Sequence, residues 1–443
     1  MPRLIPVPPR GGLYRAVWRW HFYAGLLVLP FLAWLAITGG LYLYKPELER
    51  LIYPSLVAVE PTGTPLALEA IVDRVRQQTG DTVVEVDRPA RADRSWRLLV
   101  ARADRTMRTA WVDPYRGTLL GVTRKGGVLQ TVRDLHSLIL TGPIGNALIE
   151  AVAGWAILLV ATGVYLWWPR GGSPAIGVRG KPRARLFWRD LHASVGIVAG
   201  AVVLFLALTG LPWTGVWGST VRGAIASHGL GRPEPPQAAA VAMPGHGDHS
   251  GHDVAETLPW SLQEMPMPHG SRGDIGLDRA AALAERHGMT APWVLSLPAA
   301  PGEPYLFSKT IRSAGDGRAL YLDAGSGAVL QDARFPQFGP GAQWVEWGIA
   351  THKGEQYGEP NRLLMLFGCI AILLLSGSAA VMWWKRRPPG TLAAPPRHSD
   401  RRSARVLLAM MLAGGVLFPL TGLTMLVALA AERLAILARK QRA

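Results

Sequence analysis

The sequence predicts an α-helical membrane protein with two small α+β domains outside the bilayer, built by internal duplication. Three observations predict it. Apolar blocks of about 20 residues, enough to cross a hydrocarbon core, alternate with stretches that hold most of the charge. Tryptophans gather at the block ends (Trp18 and Trp20, Trp167 and Trp168, Trp188, Trp213 and Trp217, Trp383 and Trp384), where amphipathic rings favour the membrane interface. One spacing also occurs twice: His21 lies 17 residues before Thr38-Gly39, and His192 lies 17 before Thr209-Gly210.

The bulk numbers agree. Hydrophobic residues make up 49% of the 443, and the charge sits between long apolar blocks instead of being spread through the chain. The net charge of +16 does not point to nucleic acid, because much of it flanks the apolar blocks, where it sets topology. A single cysteine, Cys369, excludes a disulfide framework and a Cys-rich metal site. The first apolar block is too long for a signal-peptide core and no small-residue cleavage site follows it, so it reads as an anchor.

Taken in order, residues 1–44 are a basic segment and a first span, Val17–Tyr44. Residues 45–143 are a first α+β domain: "PLALEAIVDRVRQQTG" has helical period, and "SWRLLVARADRTMRTAWVDPYRGTLLG" reads as strand, turn, strand. A second span, Ile144–Trp168, a basic loop at 169–190 and a third span, Leu191–Trp213, follow. Residues 214–360 are a second α+β domain, with "GLDRAAALAERHG" as helix and "RALYLDAGSGAVLQ" as hairpin. In "AWVDPYRGTLL" and "LYLDAGSGAVL" an Asp is followed four residues later by Gly, the chemistry of a tight turn. A Pro-, Ala-, Gly- and His-rich stretch at 231–273 without apolar period reads as a disordered insert. The fourth span is Leu363–Trp384, within 361–384, followed by a basic loop at 385–405. The last block, 406–437, is broken by Gly414-Gly415 and Pro419. It is one kinked fifth span or a re-entrant pair, and the kinked span is the favoured reading.

The loops "PRGGSPAIGVRGKPRARLFWR" and "KRRPPGTLAAPPRHSDRRSAR" and the N-terminal Arg3, Arg10, Arg15 and Arg19 are placed in the cytoplasm by the positive-inside rule. Both α+β domains then face outward, into the periplasm of a two-membrane cell. Five spans would leave the basic "RKQRA" outside, against the same rule.

An imidazole inside an apolar span is a functional hypothesis by default. His136 precedes Trp167 by 31 residues, and His352 precedes Trp383 by 31. Each half thus reads as a histidine on a span, an outer domain, an outer histidine, a second span, Trp-Trp and a basic loop. Pseudo-symmetry of this kind pairs equivalent positions, bringing His21 to His192 near the cytoplasmic side and His136 to His352 near the outer side. Imidazoles on facing helices are a means of holding haem iron, although paired histidines in spans also occur in proton relays. A bis-His haem suits electron transfer, and two of them stacked along the membrane normal would form a wire. Zinc would want three or four ligands, which the spans do not offer.

The segments "WHFYAGLLVLPFLAWLAITGGLY", "DLHSLILTG", "ATGVYLWWPR" and "DLHASVGIVAG", with the paired Asp-x-x-x-Gly hairpins, resemble the PepSY-associated transmembrane family of iron-regulated membrane proteins. The resemblance covers roughly residues 12–230 and 270–385. It implies PepSY-like domains, an inner-membrane location and similarity to di-haem reductases of periplasmic ferric siderophores. It carries His21, His136, His192 and His352 over as ligands of two haems b. No G-x-G-x-x-G follows a strand, and the cytoplasmic loops are too short for a flavin or nicotinamide domain. Electrons would therefore come from quinol or a separate reductase. The catalytic residues are not legible.

"MPGHGDHSGHD", with Met243, His246, His249 and His252, has the composition of a site for copper or zinc, or of a solvated linker. His228, His287 and His398 read as surface residues, and Cys369 as packing within a span. Two other functional classes compete: a non-catalytic PepSY sensor or assembly protein, and a periplasmic metal-handling protein that uses the His/Met tract. The partners expected in the leading reading are membrane lipid, quinol or a reductase, and a ferric siderophore or other metal chelate, with no nucleic acid.

Overall fold

The computed structural model describes residues 12–168, 176–231, 258–262, 267–387 and 401–441. The chain forms two compact units. One is helical (1–40, 134–221 and 362–443) and the other carries the β-sheet (41–133 and 222–361).

Four helices are long and apolar enough to cross a membrane, with windows at Gly12–Leu43, Ile139–Trp167, Arg185–Trp213 and Glu359–Trp384. They agree with the four spans read from the sequence, and the chain is a multi-pass membrane protein. Named in chain order with the shorter helices, the elements up to the third span are α1 (Gly12–Leu43), α2 (Lys45–Ile52), α3 (Pro54–Val57), α4 (Leu68–Thr79), α5 (Gly127–Ser137), α6 (Gly142–Trp167) and α7 (Arg185–Gly210). Then come α8 (Val216–Ser227), α9 (Leu277–Arg286), α10 (Pro340–His352), α11 (Glu359–Trp384), α12 (Arg401–Leu417) and α13 (Pro419–Gln441).

The last apolar block corrects the favoured reading. It is a pair of helices, α12 and α13, and not one kinked span. Pro419 has no N–H to give, and Gly415 lacks the side chain that would hold the two helices apart. A Cβ on Gly415 would lie only 3.2 Å from the Cα of Gly422, seven residues on, whereas a straight helix separates such residues by about 10 Å. The chain therefore doubles back at Pro419. Small residues seat the pair on α6. Thr421 Oγ1 bonds the Ala151 carbonyl at 3.1 Å, and Trp155 Nε1 donates to Thr424 Oγ1 at 2.9 Å. A Cβ on Gly154 would collide with Thr421 Oγ1 and stand 3.0 Å from Phe418 Cβ. Gly154→Leu is expected to unseat the pair, costing about 1–3 kcal/mol by overpacking. The checks are a lowered melting temperature and faster proteolysis near Phe418.

The other unit is one antiparallel sheet of eight strands, not two separate sheets. Its strands are β1 (Thr82–Arg88), β2 (Trp96–Ala101), β3 (Met107–Asp113), β4 (Thr118–Arg124), β5 (Trp293–Ser296), β6 (Tyr305–Lys309), β7 (Arg318–Leu322) and β8 (Val329–Arg334). The order is β4-β3-β2-β1-β5-β6-β7-β8. The two α+β domains read from the sequence meet where β1 pairs β5, from Glu85 opposite Ser296 to Arg88 opposite Trp293. They share one core, in which Ile71 and Val72 of α4 and Ala280 and Ala284 of α9 cover Val86, Leu98, Trp293 and Phe307. The Leu68 amide donates to Asp278 Oδ1 at 2.6 Å, joining α4 to α9.

Both Asp-x-x-x-Gly turns form. Asp113 Oδ1 accepts the Tyr115 amide at 2.8 Å, and Asp323 Oδ1 accepts the Gly325 amide at 2.7 Å. Gly117 and Gly327 close the turns at φ of 66° and 79°, where a side chain would be strained. The region read as an insert is partly built into the fold: Leu258, Trp260 and Leu262 are buried, and Leu258 and Leu262 pack with Tyr321 and Phe338 on the other face of the sheet. Apolar side chains in a short His- and Pro-rich setting lack a period, and that hid this anchor.

Candidate functional site

The helical unit brings two of the sequence-predicted histidines together. His21 projects from α1 and His192 from α7, and both are half-buried. Their ring centres are 6.4 Å apart and the ring planes stand at 88°. Each ring is held from a neighbouring helix. His21 Nδ1 lies 2.8 Å from Thr162 Oγ1 of α6. His192 Nδ1 lies 3.0 Å from Ser378 Oγ and 3.2 Å from the Leu375 carbonyl, both on α11.

The partners bear on which ring nitrogen carries hydrogen. Thr162 gives its hydroxyl proton to the Leu158 carbonyl at 2.7 Å, and Ser378 gives its own to the Leu375 carbonyl at 3.0 Å. A hydroxyl has one proton to donate, so a hydroxyl that gives it to its own helix carbonyl can only accept from the imidazole. In that arrangement Nδ1 carries the hydrogen in each ring and Nε2 keeps a lone pair, the form in which neutral imidazole binds metals.

His136 repeats the arrangement at the end of α5. Its Nδ1 lies 2.9 Å from Thr38 Oγ1 of α1, whose proton goes to the Trp34 carbonyl at 2.8 Å. Trp34 Nε1 in turn donates to the Leu135 carbonyl at 2.8 Å. The ring comes so close to α1 that a Cβ on Gly39 would stand 3.1 Å from its Cε1. Burial lowers the His136 pKa to about 4, against the opposing effect of a hydrogen bond to the Leu35 carbonyl, so the ring is neutral at neutral pH. His352 is the last residue of α10 in the sheet-bearing unit and is half-buried. Beside it, the Thr351 carbonyl accepts Asn361 Nδ2 at 2.9 Å.

Asp190, two residues before His192, is buried and paired with Arg179 and Arg189, each at 2.7 Å. It anchors the start of α7. His228 and His287 are exposed, as expected of surface residues, and Cys369 is buried within α11. Met243, His246, His249, His252 and His398 lie outside the described residues.

Among the described residues no cluster of three or more His, Cys, Asp or Glu side chains is placed to share a metal. The His21–His192 pair offers two donors. Two imidazoles bound to one metal, with each nitrogen about 2 Å from it, have ring centres roughly 6 Å apart, close to the spacing observed. A metal that brings its own planar set of nitrogens needs only such a pair.

The hydroxyl partners are the residues of the candidate site that sequence reasoning missed. A signal for them existed: Thr162 stands five residues before Trp167, and Ser378 five before Trp383.

In comparisons with known proteins, the family model described as "PepSY-associated TM region" matches residues 18–386, a span that takes in all four histidines. No curated protein matches the chain.

Proposed function

The chain belongs to the family of the PepSY-associated TM region, and from that premise we propose that it is a haem-dependent electron-transfer protein of the bacterial inner membrane. It passes electrons from quinol or a cytoplasmic donor to a periplasmic ferric chelate, the chemistry of iron uptake from siderophores. The observation that carries this reading is the His21–His192 pair: ring centres 6.4 Å apart, with both Nδ1 atoms committed to hydrogen bonds.

Spacing supports an internal duplication behind the pair. His136 and His352, Thr162 and Ser378, and Trp167 and Trp383 are each separated by the same 216 residues. On this spacing and the family resemblance, His136 and His352 are further candidates for haem ligands. The basic segments flanking the spans support a cytoplasmic N-terminus and a periplasmic sheet-bearing unit.

A haem b held by His21 and His192 would supply one-electron transfer. The chain's own residues supply the rest. His21 and His192 present lone pairs from two helices. Thr162 and Ser378 hold the rings in place, and Gly163, whose Cβ position is 3.5 Å from His21 Cε1, leaves room beside one of them. One quinol yields two electrons and two protons, enough to reduce two ferric ions to ferrous.

The test is a reduced-minus-oxidised spectrum of membranes carrying the full chain, expressed with ample haem. The expected result is a low-spin haem b spectrum that is re-oxidised by a ferric siderophore. A colourless preparation would reject the reading. Haem that stays reduced when the chelate is added would reject the reductase.

A further inference from the structure

Thr162 and Ser378 are 2% and 1% exposed, so bulk water does not supply their partners. A Thr or Ser inside a helix commonly returns its proton to a carbonyl of its own previous turn, and that bond alone signals nothing. Here the lone pair left over meets an imidazole Nδ1 in both cases, at 2.8 and 3.0 Å. The two hydroxyls come from α6 and α11, each five residues before a Trp-Trp pair. Thr38, 4% exposed, does the same for His136.

We propose that Thr162 and Ser378 are positioning residues: by accepting the Nδ1 hydrogen they fix the tautomer of His21 and His192 and raise the donor strength of each Nε2. The hydrogen bond draws the N–H proton away from the ring and leaves the opposite nitrogen richer in electrons. Towards iron, the stronger donor favours the ferric state, so removing the hydroxyl raises the midpoint potential. The inference rests on the proposed function only where haem enters its test.

The first arm needs no haem. The full chain, prepared from haem-starved cells with 15N-labelled histidine, is read by NMR. In the wild type His21 is expected to carry hydrogen on Nδ1 and a bare Nε2. In Thr162→Val, which keeps the volume and loses the acceptor, the two tautomers mix. Thr162→Ser restores the wild-type signal. A wild-type His21 protonated on Nε2, or a Thr162→Val spectrum identical to wild type, overturns the inference whether or not the protein ever binds haem. The second arm uses haem-loaded protein. Thr162→Val is expected to weaken haem retention at the His21–His192 site about 10–100-fold and raise its midpoint potential, while Thr162→Ser stays at the wild-type value. Retention and potential both unchanged in Thr162→Val would overturn it.

Discussion

His192→Ala is expected to leave one haem per chain where the proposed wild type holds two, and His21→Ala is expected to give the same spectrum. Both expectations come from the pairing of these two rings. A haem held between two helices by one donor from each would lose one of its two protein ligands when either is cut. A haem proposed at His136 would keep that donor, because His136 has a separate support in Thr38. Haem content per chain from a pyridine haemochrome assay, read beside the reduced-minus-oxidised spectrum, measures the loss. His228→Ala is the control, because that ring is exposed and its Nδ1 bonds the Ala224 carbonyl of its own helix. Equal loss of both haems in His192→Ala would show that the four histidines do not form separate centres.

Trp293→Ala is expected to destabilise the sheet-bearing unit by about 3–5 kcal/mol. Trp293 is 1% exposed and sits on β5, where the two halves of the sheet join. It packs edge-on against Phe307 at 5.3 Å and Trp96 at 6.5 Å between ring centres, with the Arg88 guanidinium 5.7 Å from its ring. Truncation opens a cavity lined from both halves, so neither can collapse to fill it alone. The indole N–H is buried and among the described residues has no hydrogen-bond partner, so the substitution orphans no acceptor and the loss is one of packing. Trp293→Phe, which keeps most of the ring, is expected to cost less than half as much. Denaturant midpoints of the two variants in the full chain, followed by far-ultraviolet circular dichroism, check the ranking. Equal midpoints for wild type and Trp293→Ala would remove the seam from the account of stability.

What was legible in the sequence was what is local. Twenty apolar residues between tryptophans specify a span without reference to any other part of the chain. Asp113 to Gly117 and Asp323 to Gly327 specify their turns within five residues. The histidines stood out because imidazole is rare in an apolar run. What was not legible depends on distant partners. Nothing around Thr82–Arg88 says that this strand pairs with Trp293–Ser296, so two domains were expected where one sheet exists. The doubling back at Pro419 depends on Gly415 meeting Gly422 and on a seat on α6. Thr162 and Ser378 look like any hydroxyl in a helix until the imidazole across the gap is known.

The seam between β1 and β5 has a consequence for biosynthesis. About two hundred residues separate the two strands in the chain, including two helices long and apolar enough to cross the membrane. At roughly 5–20 residues per second, the ribosome needs about 10–40 s to deliver the second strand after the first. Throughout that interval β1 offers an open row of amide and carbonyl groups to whatever passes, the kind of edge that invites wrong pairing. In a chain of this design the first half of the sheet keeps an unpaired edge until the late strand emerges.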